Sequence, residues 1–398
     1  MDSGNSVKRA ETRRTKAIVV FGTRPEAIKM APLLTALSQS KFFEVKSVAT
    51  GQHRRILNQV LSFFGIKPDY DLKIMTRGQS LAEITNRVLK GLIPIINRES
   101  PDLLIVQGDT TTTFVSGLAA FYSGVKVAHI EAGLRTGDKR HPFPEEINRV
   151  LTTHLADWHF APTPEAKANL VRENILPESI FVTGNTVIDA LFHCLAGQAL
   201  HPRFAGKERL ILVTAHRREN WGEPLERIVT ALKGILKASP EAEMIIPVHP
   251  NPRVREVFYS QLAGEPRVQL VRPFDYQEMV AALSAAYLII TDSGGIQEEA
   301  AALGKPVLVL RETTERPEGA RVGTIKLVGT QPERILVEAT RLLRDQNAYR
   351  EMAQGVKLYG DGKASARIVA GLLYIFGLAK SRPVDFEPKN NFEAGDTD

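Results

Sequence analysis

Short apolar runs alternate with amphipathic stretches along most of this chain, and most of the runs stop at a Gly or a polar residue. Such runs, without inner alternation, are what strands buried on both faces look like. In the first half they are KAIVVFG (16–22), FEVKSVATG (43–51), DLLIVQGD (102–109), VKVAHIEAG (125–133), WHFAPT (158–163) and IFVTGN (180–185). Between them, apolar residues at helical spacing predict helices over 23–40, 53–65, 110–124, 145–157, 164–175 and 186–200. Alternating strand and helix argues an α/β class with a parallel sheet.

The pattern breaks near 197–208, around Pro202 and Gly206, and then restarts. RLILVTAH (209–216), EMIIPVHP (243–250), RVQLVRP (267–273), AAYLIITD (285–292), GKPVLVL (304–310) and TIKLVG (324–329) read as strands. Helices fall over 224–239, 276–286, 296–303 and 333–345. The expected organisation is a disordered tail (1–15), a first Rossmann-like domain (16–198) and a second (208–363). A C-terminal helix (364–379) is expected to pack back on the first domain, followed by a mobile tail (380–398). In open parallel sheets, ligands bind at the carboxyl ends of the strands. The polar residues just after each strand are therefore the ones to weigh.

Composition narrows the class. With 43% hydrophobic and 24% charged residues in 398, the chain has an ordinary globular profile, and no apolar run approaches the roughly 20 residues of a membrane span. The charged opening segment lacks the apolar core of a secretory signal, so a cytoplasmic location is expected. Cys194 is the only cysteine, which excludes an internal disulfide and a cysteine metal cluster. The net charge is +6, of which residues 1–16 supply +3, and the remaining basic residues are dispersed without interleaved aromatics. That balance suits an anionic small ligand at least as well as nucleic acid.

TDSGGIQEE (291–299) sits where a strand turns into a helix. Ser293, Gly294 and Gly295 can offer free backbone N–H groups to a phosphate, with Glu299 one turn on to grip a neutral part such as a ribose. A plain βα turn is the competing reading. FGTRPEAIKMAP places Arg24 and Lys29 near a helix start, where two cations suit a diphosphate; the bland reading makes Pro25 and Glu26 ordinary first-turn residues. Asp109 and Glu131 end successive strands, and Glu145 opens PEEINR. Three carboxylates around one cleft offer an acid and a base on different faces of a substrate. Against this, Glu145 and Arg149 at i,i+4 spacing could simply form a helical ion pair, and Asp109 could cap the Thr-rich helix. His216 and Arg217 in TAHRREN, His249 in PVHPN and Arg316 in TTERPE complete the set from the second half.

Together FGTRPEAIKMAP, GDTTTT, EAGLRTGD, PEEINR, TGNTVIDAL, TAHRREN, HPNP, TDSGGIQEE and TTERPE closely resemble, in order and spacing, the non-hydrolysing UDP-N-acetylglucosamine 2-epimerases of bacteria. The resemblance runs from Lys16 to about Leu378. It implies a GT-B fold with the active site between two Rossmann-like domains, a homodimer, no cofactor, no metal, and no nucleic-acid or membrane partner. The implied reaction interconverts UDP-GlcNAc and UDP-ManNAc, by elimination of UDP across C1 and C2 and its re-addition, in supply of cell-envelope polysaccharide. It makes Asp109, Glu131, Glu145 and His216 the catalytic residues, with Arg149 orienting Glu145. Arg24, Lys29, Ser293, Gly294, Gly295, Glu299 and Arg316 would bind the nucleotide. Phe274 and Met279 of RPFDYQEM would face the base, Met279 standing where some relatives have Phe. Gln52, Arg217 and His249 match an activating UDP-GlcNAc site, although Arg55 stands where some relatives have Gln. Alternatives are a hydrolysing 2-epimerase, a GT-B glycosyltransferase using a UDP-sugar, and a non-catalytic sugar-nucleotide sensor.

Overall fold

The apolar runs assemble into two parallel sheets. The structure, a computed structural model, describes residues 13–388 except 52, 53, 77, 197–201 and 205. The first sheet contains β1 (Thr15–Phe21), β2 (Phe43–Ala49), β3 (Tyr70–Asp71), β4 (Leu103–Gln107), β5 (Lys126–Ile130), β6 (Trp158–Ala161) and β7 (Ile180–Val182), in the order β3-β2-β1-β4-β5-β6-β7. The second contains β8 (Leu210–Thr214), β9 (Glu243–Pro247), β10 (Val268–Val271), β11 (Leu288–Thr291), β12 (Val307–Val309) and β13 (Ile325–Leu327), in the order β10-β9-β8-β11-β12-β13. Every strand pairing is parallel. Strands such as β4 and β8 are buried at every position, which is why they read as unbroken apolar runs. This is the GT-B arrangement of two Rossmann-like sheets.

The strand order decides where a ligand can sit. In each sheet the winding reverses once, between β1 and β4 and between β8 and β11. At a reversal the two following helices leave on opposite faces and open a crevice at the carboxyl ends of the strands. The helix Thr186–Leu195 forms much of the seam between the sheets, packing against Arg24–Gln39 on one side and against Tyr276–Ala285 and Gly294–Ala302 on the other. The helix Ala364–Ile375 lies against Arg24–Gln39 and Thr186–Leu195.

Several stretches differ from the sequence reading, the helices Pro252–Leu262 and Gln346–Met352 among them. The helix Leu81–Glu99 has no counterpart in it. Its start carries a local signal: Ser80 Oγ accepts from the Glu83 amide at 3.2 Å, and Glu83 answers by accepting from the Ser80 amide at 2.7 Å. Ile84, Val88, Leu92, Ile95 and Ile96 then mark the buried face, and the interior Pro94 masks the helix to the eye. Residues 380–388, expected in a mobile tail, are fixed instead against β7, with Phe386 buried. Their polar composition hides this, because the contacts use the Phe386 amide and the side chains of Arg382, Asp385 and Phe386, which follow no regular period. No helix among the described residues is long and apolar enough to cross a membrane.

Candidate active site

The two reversals face each other across a cleft of about 460 Å³ lined by both sheets. From the first sheet come Arg24 and Lys29 after β1, Asp109 after β4 and Glu131 after β5; Glu145 and Arg149 come from the helix Glu145–Leu155. From the second come His216 and Arg217 after β8, His249 after β9, and Ser293, Gly294, Gly295 and Glu299 after β11, with Phe274, Met279 and Arg316. Gln52 lies outside the described residues.

The floor of the cleft is a buried charge network. Glu131 accepts from Lys29 Nζ at 2.6 Å, from Asn185 Nδ2 at 3.0 Å, from Arg316 at 3.3 Å, and from Gln107 Nε2. Arg316 also donates to Glu298 at 2.5 Å and to Glu315 at 2.5 Å. Burial alone would push the Lys29 ammonium down, but the carboxylates of Glu131 and Glu298 bring it above its ordinary value. Burial would lift Glu315, yet Arg316 and Arg311 hold it well below the usual carboxylate range. Burial does lift Glu298, against Arg316 and Lys29. Charges this deep persist because each has a partner.

The rim is arranged differently. Arg24 makes no ion pair among the described residues, and burial pushes its guanidinium down. Arg217 likewise keeps a buried Nε without a hydrogen-bond partner. Carboxylates stand near both, Asp275 and Glu299 by Arg24 and Glu315 and Glu145 by Arg217, yet neither arginine closes an ion pair among the described residues, as suits a phosphate site in its free form. Opposite them, the helix Gly294–Ala302 begins at Ser293 with no side-chain cap, leaving its first amides free for an anion. Its two glycines do separate jobs. A Cβ on Gly294 would stand 2.5 Å from Arg316 Nη1 and 2.7 Å from Glu315, so that glycine admits the floor network. Nothing lies within 4 Å of a Cβ on Gly295, so that one leaves space for a ligand.

Arg149 does not pair with Glu145, as the i,i+4 spacing suggested. It pairs with Asp109 and, at 3.1 Å, with Glu146. The strand reversal brings Asp109 onto the buried side of this helix, while Glu145 points to the cleft. Burial raises the Glu145 carboxyl, and the nearby Asp109 charge raises it further. His216 Nδ1 lies 3.0 Å from Asp292, which also accepts from the His216 and Arg217 amides at 2.8 Å each. Burial would raise Asp292, but His216 and these amides hold it far below its ordinary value. The arrangement turns the His216 Nε2 edge toward the cleft, with its ring stacked on His249 at 5.7 Å between centroids. Glu299 is lifted to about 7 by burial, opposed by a 3.0 Å hydrogen bond from the Tyr276 hydroxyl.

Several positioning residues escaped the sequence reading. Glu26, read there as a first-turn acid, accepts from the Gly22 and Thr23 amides at 3.1 and 2.6 Å and from the Thr110 and Thr113 hydroxyls at 2.8 and 3.0 Å. It joins the loop carrying Arg24 to the loop carrying Asp109. Asp292, Asn185 and Tyr276 act in the same way. Only Asp292 had a visible signal, an acid closing an apolar run. Among the described residues no group of three or more His, Cys, Asp or Glu side chains is arranged to hold a metal.

Two facing strand reversals, an uncapped helix start beside unpaired arginines, and acids across from them define a GT-B protein with an anion-binding, acid-lined cleft. The chain belongs to the UDP-N-acetylglucosamine 2-epimerase family, whose model matches residues 35–373. It is 52% identical over 368 residues to the UDP-N-acetylglucosamine 2-epimerase of Salmonella typhimurium, covering 90% of this chain and 98% of that one. Two solved structures, each 46% identical, are also similar. The UDP-GlcNAc 2-epimerase of Neisseria meningitidis bound to UDP-GlcNAc has a TM-score of 0.87 and covers 90% of this chain and 100% of its own. The S. aureus MnaA–UDP co-structure has a TM-score of 0.90 and covers 94% and 100%.

Proposed function

We propose that this chain interconverts UDP-GlcNAc and UDP-ManNAc at C2 without releasing free sugar. The observation that carries the reading is the meeting, in one cleft, of unpaired cations with acids from a family-matched chain. In this reading Arg24, His216 and the amides at Gly294–Gly295 face the diphosphate, where negative charge grows as the C1–oxygen bond breaks. Preorganised donors at that place stabilise the transition state more than the ground state. Glu299 takes the ribose. Asp109, Glu131 and Glu145 supply the groups that remove the C2 proton and return it to the other face. The raised carboxyl of Glu145 suits a group that carries a proton near neutrality. Arg149 orients Asp109.

Proton NMR of the chain with UDP-GlcNAc in deuterated water tests this. The expected result is UDP-ManNAc with deuterium at C2 and no free ManNAc. Product without deuterium would contradict proton removal and return by solvent-exchanging acids, and accumulating free ManNAc would mark a hydrolysing enzyme.

A further inference from the structure

Residues 380–388 lie beyond the span that the family model matches. They run along the open edge of β7. The Phe386 amide donates to the Val182 carbonyl at 2.7 Å, and Asp385 accepts from the Val182 amide at 3.0 Å. Asp385 also pairs with Lys167 at 2.8 Å, and the Arg382 guanidinium sits 4.0 Å over the Phe181 ring. The segment thereby occupies both free hydrogen-bonding groups of an edge residue.

Its buried anchor is Phe386, which packs where the chain turns into the cleft. A Cβ on Gly184 would meet the Phe386 ring at 3.7 Å, the Tyr359 carbonyl at 3.6 Å and Gly360 Cα at 3.2 Å. Gly184 has φ +81°, so the turn depends on this glycine and on what closes over it. Arg367 completes the enclosure, with its guanidinium 5.2 Å from the Phe386 ring and a hydrogen bond to the Thr183 carbonyl at 3.2 Å. The next residue is Asn185. Its amide donates to the Tyr359 carbonyl at 2.7 Å. Its side-chain Nδ2 donates to Glu131 at 3.0 Å and to Glu298 at 2.8 Å, while Oδ1 caps the following helix by accepting from the Val187 amide at 3.2 Å. One carboxamide thus spans an acid from each sheet, and its backbone is seated between the crossing at Tyr359–Gly360 and the turn that Phe386 covers.

We propose that residues 380–388 are a positioning strap: by closing on the Gly184 turn they set Asn185, and through it the Glu131 carboxylate, for turnover. This rests on the epimerase reading above. The carboxamide reaches both acids only from a fixed backbone. A displacement of about 1 Å in such a support can cost turnover heavily without removing any group that touches substrate.

The test compares Phe386→Ala, Asp385→Ala, Asn185→Ala and the double variant Phe386→Ala/Asn185→Ala, with UDP-GlcNAc as substrate. Either strap variant should lower kcat about tenfold and change KM less than about twofold. The double variant should be no slower than Asn185→Ala alone, because the strap acts through that residue. Hydrogen exchange gives a readout free of activity: the Asn185 and Val187 amides should exchange faster in Phe386→Ala, with the β1 amides unchanged. Unaltered kcat in strap variants of an active enzyme, additive losses in the double variant, or unaltered exchange at Asn185 would each overturn the strap. A wild-type chain that does not turn over UDP-GlcNAc would sink the epimerase reading instead, and exchange would still decide the strap. If Phe386→Ala does not fold, Phe386→Leu and Asp385→Ala carry the same comparison.

Discussion

The floor and the rim of the cleft carry similar residues in opposite electrostatic states. On the floor, Lys29 and Arg316 are buried and matched by Glu131, Glu298 and Glu315. At the rim, Arg24 has no ion-pair partner among the described residues and Arg217 keeps an unpaired Nε. A matched cation such as Arg316, which pairs with Glu131 of the first domain and Glu298 of the second, has little left to give an anion. An unmatched one costs stability in the free protein and recovers it when an anion arrives. The same residue type therefore serves architecture on the floor and binding at the rim, and direct ion pairing separates the two.

The largest effect is expected where the matching is deepest. Arg316→Met strips one cation from three buried carboxylates and should cost about 3–5 kcal/mol of stability. Denaturant melts check this, and an unchanged midpoint would mean the floor does not hold the fold. Arg24→Ala should do the reverse. Its melting temperature should hold or rise, while UDP affinity in calorimetry drops by about 1.5–3 kcal/mol, the usual worth of hydrogen bonds to a charged group. Loss of stability with unchanged UDP affinity would erase the distinction between floor and rim.

The smallest effect concerns Glu299, which lies between the two regions. Its carboxyl is raised to about 7, so the folded chain holds that proton more tightly than the unfolded chain. The resulting stability is complete at low pH and is lost as pH rises from the ordinary carboxylate range through about 7. Glu299→Gln cannot ionise. The variant should therefore gain on wild type, by a few degrees of melting temperature, between about pH 5 and about pH 8. A difference that stays flat with pH would show that Glu299 is ionised throughout.

The period of the apolar runs was enough for the class and for most strands, because a strand buried on both faces must be apolar throughout, whatever surrounds it. The loops after those strands were legible for the same local reason: Arg24, Asp109, Glu131, His216 and Ser293–Gly295 all follow a run directly, and all line the cleft. Pairing was not legible. Spacing along one helix offered Glu145 to Arg149, but Asp109 takes it, since the β1–β4 reversal sets a loop against that helix. The same holds for Glu26, which reads as a helix-start acid until the Thr110 and Thr113 hydroxyls stand beside it. The polar segment 380–388 carries no periodic signal, and only the open edge of β7 gives it a place. The sequence determined which groups stand at the ends of strands, a matter of short-range periodicity. Which of them are neutralised and which stay free for a ligand was decided by the strand order, because that choice depends on charges from distant parts of the chain meeting where water is excluded.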